Sequence, residues 1–255
     1  MTQLQRVAIQ PEQIVNSEIH LTASQQHYLS RVLRLRPGDR FIALTGRDGW
    51  WLSELTTDPG VALRLEAIAI QTELPVSVTL LIGLPKTGME DVVRQATELG
   101  VDQIVPILSD RTLLKPSPQK QERWQRIVQE AAEQSERQII PVVQPPQSWP
   151  SALQTWTPEQ ASCYLCEARG ELPHLLTCLK TYFGEAPQPP SSARAIVVAT
   201  GPEGGWTPGE VEGAIAAGYQ PVSLGAPILR AITAPLVALS LIAAVAGGAL
   251  HQDSP

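Results

Sequence analysis

Two hydrophobic patterns divide the chain. Up to about residue 72, apolar positions come in short alternating runs broken by turn residues. The run LRLRPGDRFIAL has a Pro37-Gly38-Asp39 turn that leads into an apolar strand at 41–44. A second turn, Gly46 to Gly49, precedes 50–55 with Trp50, Trp51, Leu52 and Leu55, and 61–70 alternates again. Closely spaced short strands predict a small β-barrel over 1–72. Its one helix is expected at 24–34, with Ser24 as N-cap and Leu29, Val32 and Leu33 on one face. Residues 71–75 read as a linker.

From residue 73 onward the period changes. Residues 76–83 form a continuous apolar run, and a helical segment follows that Gly100 ends. Further strands are expected at 101–108, 138–143, 161–168, 193–200 and 220–225. A helix is expected at 120–136, where Trp124, Ile127, Val128 and Ala131 recur at helical spacing, and others at 208–217 and 234–246. Strands alternating with helices predict an α/β domain over 73–255, a mostly parallel sheet with helices on both faces. Residues 184–193 read as a flexible surface loop. The run 234–250 is apolar, but it is short for a membrane span and lacks basic flanks, so it reads as a buried helix.

Composition narrows the function classes. A chain of 255 residues, 43% hydrophobic and 17% charged, can bury a core without staples, which excludes wholesale disorder. The net charge of −6 argues against a nucleic-acid partner on average, but the charge is uneven. Arg31, Arg34, Arg36 and Arg40 fall within ten residues with Asp39 as their only acid, which makes a local basic patch. Three cysteines make no disulfide framework. The set Cys163, Cys166, His174 and Cys178 departs from structural zinc spacing, and a strand puts Cys163 and Cys166 on opposite faces, so no metal is expected. No segment pairs a basic stretch with an apolar one as a secretory signal does, so a cytoplasmic protein is expected.

The strongest site signal lies at 195–218. A buried strand ends at Thr200, and Gly201-Pro202-Glu203-Gly204-Gly205 follows. Thr207 as N-cap, Pro208 at the first helical position and Glu210 closing a capping box then predict a helix start. Glycines at the carboxyl end of a strand let backbone approach a ligand closely. The loop fits neither a phosphate-binding Gly-Lys-Ser/Thr pattern nor a dinucleotide fingerprint. A second strand ends at Gly225, and 226–234 leads into the last helix. The two loops are expected to form two walls of one pocket, lined by Leu224, Ile228 and Leu229. Arg230 is the only Lys or Arg after residue 195, and beside an apolar pocket it suits an anionic or π-rich partner.

The run GPEGGWTPGEVE with AGYQPVSLGAPILRAITA resembles the RsmE family, the 16S ribosomal RNA (uracil-N3)-methyltransferases of the SPOUT superfamily. HYLSRVLRLRPGD resembles that family's PUA-like RNA-binding barrel. The middle segments, with Lys86, Glu98, Leu99, Gly100, Arg111, Arg123, Trp124, Glu130, Ala131, Gln134, Ser135, Arg137 and Pro141, resemble its remaining motifs. The resemblance implies a SPOUT-type trefoil knot built from 201–206, 225–233 and the last helix. It implies S-adenosylmethionine held by Thr200, Gly201, Pro202, Glu203, Gly204, Gly205, Leu224, Gly225, Ile228, Leu229, Thr233 and Ala234. It also implies a homodimer acting on the small ribosomal subunit. The family usually reads Arg-x-Glu-Thr-Ala before the last helix, and here Ile232 stands in the place of that carboxylate.

Methylation at uracil N3 requires loss of the N3 proton and a cation beside the resulting anion. Arg230 is the expected cation, and Glu203 a base or ribose contact. Arg31, Arg34, Arg36, Lys86, Arg111, Arg123, Arg126 and Arg137 are expected to contact RNA phosphates. The competing readings are a non-catalytic RNA-binding paralogue and a SPOUT methyltransferase acting on ribose or another base.

Overall fold

A computed structural model describes residues 4–45, 49–68, 72–112, 115–159, 161–184 and 195–250. Most of the turn expected at Gly46–Gly49, and the loop expected at 184–193 beyond Gly184, lie outside the described residues. The chain forms two packed units, Met1–Glu73 with Ala132–Ile140, and Leu74–Ala131 with Pro141–Pro255.

The first unit holds β1 (Arg6–Ala8), β2 (Ile14–Val15), β3 (Glu18–His20), α1 (Ala23–His27), β4 (Arg40–Leu44), β5 (Trp50–Leu55) and β6 (Val61–Ile68). Its strands form one sheet in the order β1-β4-β5-β6-β3-β2, antiparallel except for β1 beside β4. Because side chains alternate across a strand, Phe41 and Ala43 bury on one face with Ile19 and Leu29, while Ile42 and Leu44 bury on the other with Trp50. The segment 132–140 completes this unit: Trp50 Nε1 donates to the Arg137 carbonyl at 3.1 Å. Glu73 accepts from Arg137 Nε at 3.1 Å and from the Gln138 and Ile139 amides at 2.7 and 3.0 Å. The stretch read as a linker is thus anchored at Glu73.

The helix expected at 24–34 is shorter. Thr22, not Ser24, caps α1 through the Gln25 amide. A π-helical turn follows over Tyr28–Val32, and Arg34 adopts φ 58°. The wider turn rotates Val32 to the surface, 57% exposed, while Leu29 stays buried.

The second unit is built from β7 (Ser77–Gly83), α2 (Met89–Glu98), β8 (Gln103–Leu108), α3 (Pro118–Gln134), β9 (Val142–Val143), β10 (Gln147–Ser148), α4 (Trp149–Thr155), β11 (Ser162–Cys166), α5 (Leu175–Gly184), β12 (Ala195–Thr200), α6 (Pro208–Ala216), β13 (Gln220–Val222) and α7 (Ala234–Leu250). The end of α3 from Ala132 belongs to the first unit. The sheet runs β10-β8-β7-β12-β11-β13, with β9 also on β8, and every pairing is parallel. Helices α2, α5 and α7 pack together on one side, and α4 and α6 on the other. Both faces are therefore apolar: Val197 and Ala199 join the α4–α6 side with Leu81, Leu165 and Trp149, while Ile196 and Val198 face the other way and are equally buried. Trp149 and Trp206 stack there at 4.4 Å between ring centroids, worth about 0.5–1.5 kcal/mol beyond area burial. Among the described residues no helix is long and apolar enough to cross a membrane.

Strand order positions the site. β12 lies between β7 and β11, and β13 flanks β11. The connections leaving the carboxyl ends of these four parallel strands therefore gather at one end of the sheet, where ligands bind in open α/β sheets.

Candidate active site

The segment after β12 is the most firmly tied of these connections. At Gly83, the last residue of β7, a Cβ would fall 2.5 Å from the nitrogen and Cδ of Pro202 and 2.9 Å from the Gly201 carbonyl carbon. Only glycine lets the two backbones pass this closely. The Gly205 amide, at φ +69°, donates back to the Pro202 carbonyl at 2.8 Å. The predicted helix start is present: Thr207 Oγ1 accepts from the Glu210 amide at 3.3 Å, and Glu210 Oε2 accepts from the Thr207 amide at 2.7 Å. The other oxygen of Glu210 takes the Asp110 amide at 2.9 Å. Beside it, the Arg111 guanidinium donates to the Gly204 carbonyl and to the Trp206 carbonyl. Glu203 Oε1 accepts the Lys86 amide at 2.8 Å, which ties this loop to the connection after β7.

The segment after β13 is held mainly at its ends. Ser223 Oγ accepts the Gly225 amide at 3.1 Å, and Gly225 adopts φ +121°. The Arg230 carbonyl accepts the Thr233 and Ala234 amides at 2.8 and 2.9 Å and starts α7. Ile232 lies over Gly88, where a Cβ would meet its Cγ2 at 3.0 Å. Between these ties Ile228 is 73% exposed. The Arg230 side chain is exposed, and among the described residues it makes no ion pair.

A cavity of about 950 Å3 lies between the two loops, in the size range of small-molecule and cofactor sites. Of the expected residues, Gly201 to Gly205, Leu224, Gly225, Ile228, Leu229, Arg230 and Ala234 line it. Thr200 and Thr233 do not: Thr200 is fully buried behind the wall, and its Oγ1 has no partner. Sequence reasoning missed a third wall, Cys166 at the end of β11 with Glu167, Ala168 and Arg169 after it. Glu167 Oε1 there accepts the Ala168 and Arg169 amides at 2.9 and 3.1 Å. Burial pushes the Cys166 thiol up to about 12, so it stays protonated and unreactive at neutral pH. Trp206, Val211, Glu212 and Thr87 also line the cavity. No group of three or more possible metal ligands occurs among the described residues.

The basic residues expected on RNA are placed differently from one another. Arg31, Arg34, Arg36, Lys86 and Arg126 are exposed. Arg123 is exposed but pairs with Glu90 at 2.8 Å, and Arg111 holds the loop after β12. Arg137 is a correction: it is 3% exposed and bound to Glu73, and a guanidinium already paired and buried cannot reach a phosphate.

The cavity suits a nucleoside-sized ligand. Glycine backbone frames it, Leu224 and Leu229 give apolar surface, and the buried Nε1 of Trp206 on its wall has no partner.

Comparison with known proteins agrees with this geometry. Residues 72–243 match the model of an RNA methyltransferase domain and residues 21–65 that of an RNA methyltransferase PUA domain. The chain is 48% identical to a ribosomal RNA small subunit methyltransferase E from Synechocystis sp., over 94% of this chain and 77% of the relative. It is 31% identical to its namesake in Bacillus subtilis, over 87% and 88% of the two chains. Among solved structures, the Neisseria gonorrhoeae protein of that name, bound to S-adenosyl methionine, superposes with a TM-score of 0.79 at 29% identity, over 95% of this chain and 98% of that one. The SPOUT-type α/β fold with an N-terminal PUA-like unit is the fold found. With its glycine loops, its cavity and both family segments in place, the chain belongs to the ribosomal RNA small subunit methyltransferase E family.

Proposed function

We propose that the protein methylates uracil N3 of a uridine in small-subunit ribosomal RNA, using S-adenosylmethionine. The observation that carries this reading is the cavity between the two glycine loops with the unpaired Arg230 guanidinium on its wall. Family membership supports methyl transfer to ribosomal RNA. When bound, S-adenosylmethionine supplies an electrophilic methyl group on a sulfonium. Gly201 to Gly205 and Leu224 to Leu229 would hold it, mainly through backbone groups.

The chain's own residues then meet the demands of the acceptor. N3 lies on the pairing edge, so the uridine must be unpaired or extruded to reach the cavity. Loss of the N3 proton leaves negative charge spread over O2 and O4. Arg230, exposed and unpaired, can stabilise that charge as it develops. Ile232 offers no carboxylate to anchor Arg230 or to take the proton. Glu203 is engaged with the Lys86 amide, which makes it first a positioning residue for the loop, with its second oxygen left for a ribose or proton contact. Arg31, Arg34 and Arg36 would hold phosphates, with Lys86 and Arg126 extending the track. Each lost contact should flatten the salt dependence of RNA binding by about 0.7–0.9 log unit. A cytoplasmic homodimer working on the small subunit completes the reading.

The test is incubation of the protein with small ribosomal subunits lacking the modification and methyl-labelled S-adenosylmethionine, then mass spectrometry of the nucleosides. N3-methyluridine is the expected product. Label in a ribose or another base would reassign the acceptor. RNA binding without any label would favour the second reading, to which Ile232 points: an RNA-binding relative without the chemistry.

A further inference from the structure

Among the described residues, Trp206 is the one that lines the cavity with a polar side-chain atom both buried and unused. Its side chain lines the cavity, it is 6% exposed, and its Nε1 has no hydrogen-bond partner. The tryptophan it stacks on differs in this respect: Trp149 Nε1 donates to the Glu210 carbonyl at 3.0 Å. The Trp206 ring is fixed on three sides. One face lies on Trp149. Its backbone carbonyl is held by Arg111. At its pyrrole edge, a Cβ on Gly201 would fall 3.2 Å from Nε1, so the glycine backbone is what leaves room for the N–H. Gly201 itself lines the cavity. A buried indole N–H without an acceptor is costly, and native proteins rarely keep one. The tight packing between Trp149 and Gly201 holds the ring where it cannot turn to find an acceptor in the protein.

We infer that the Trp206 indole N–H is a ligand donor, kept unpaired in the free protein and satisfied by an acceptor atom of the nucleoside bound in the cavity. This rests on the cofactor reading given above and adds to it a side-chain contact beside the backbone contacts of the two loops. It predicts a requirement for tryptophan in particular. Phenylalanine would keep the stack on Trp149 and lose the donor.

The experiment compares the wild-type protein and Trp206→Phe, using S-adenosylhomocysteine, adenosine and methionine as probes in calorimetry. The free Trp206→Phe protein should be as stable as the wild type or more so, because an unsatisfied donor has been removed. Its Kd for S-adenosylhomocysteine should rise about tenfold. Adenosine should show the same rise and methionine none. Equal S-adenosylhomocysteine affinity in the two proteins overturns the inference while leaving the cofactor reading intact, and no binding by the wild type overturns the cofactor reading itself. A rise confined to methionine moves the contact off the nucleoside and overturns the inference as stated. If Trp206→Phe fails to fold, the wild-type protein still decides. With 15N-labelled tryptophan, saturation by S-adenosylhomocysteine should shift the Trp206 indole proton downfield and slow its exchange with solvent. An unmoved resonance overturns the proposal.

Discussion

The two glycine loops share a position in the fold and differ in how they are held. The loop after β12 is fixed along its length, through Glu203 to Lys86, Gly204 and Trp206 to Arg111, and Gly205 to Pro202. The loop after β13 is fixed at Gly225 and again from Arg230, with Ile228 between them in solvent. The first is a frame whose shape is set before a ligand arrives. The second can adjust around one, and it carries the cation. A site that must admit a small molecule and then a nucleotide gains from having one wall of each kind.

The largest expected effect is at the frame. Gly83→Val puts a side chain into the Gly201-Pro202 backbone, which cannot yield without opening the sheet. Stability should fall by about 3 kcal/mol or more, or soluble protein be lost. Chemical denaturation measures it, and a loss under about 1 kcal/mol would mean the frame is softer than described.

Next comes the adjustable wall. Arg230→Ala should lower single-turnover methylation by about 10²–10³, or roughly 2.7–4 kcal/mol, with S-adenosylmethionine affinity nearly unchanged. Near-normal turnover would move the anion-stabilising role to the frame. Ile232→Glu, which restores the family's carboxylate, should leave turnover equal or raised.

A matched pair sharpens the contrast. Arg111→Ala removes two hydrogen bonds from an exposed guanidinium to the frame and should cost about 1 kcal/mol of stability and about fivefold in cofactor affinity. Ile228→Ala should change stability by less than about 0.5 kcal/mol. Equal losses in thermal melts and calorimetry would erase the distinction between the loops.

The last effect is absent at neutral pH and concerns β11, whose final residue, Cys166, lines the cavity. Burial raises the thiols of Cys163 and Cys166 to about 11 and about 12, from ordinary values near 9. Between those limits the folded chain holds protons that the unfolded chain has released. This contribution is full below pH 9 and is lost as pH rises toward 12. The denaturation midpoint should therefore be flat up to pH 9 and decline above it. Alkylation of Cys166 should be negligible at pH 8, and rapid modification there would make this wall as open as the loop after β13.

What could be read from sequence follows from how local the cause is. The start of α6 was legible because a capping box lies within four residues, and both bonds of the Thr207–Glu210 pair are present. The two loops were legible because each follows its own strand directly. The wall at 166–169 was not, because it joins the cavity only through a strand order in which β11 sits between β12 and β13, and no spacing along the chain encodes that. Arg137 looked like a surface cation because its partner, Glu73, is 64 residues away. The helix at 24–34 failed at Val32 because the apolar pattern assumed α-helical pitch, while the chain widens to a π turn there.

The joining of 132–140 to the N-terminal unit bears on how the protein is made. Trp50, Glu73 and Ala8, through its bond to Glu133, complete their bonding with residues that the ribosome has yet to add when the sixth strand emerges. At roughly 5–20 residues per second, the first unit waits several seconds for its last piece, while β7, α2 and β8 are synthesised in the interval. A gene fragment cut after Glu73 would therefore encode a unit missing its own closing segment. One that supplies 132–140, fused or added as a peptide, should recover the fold.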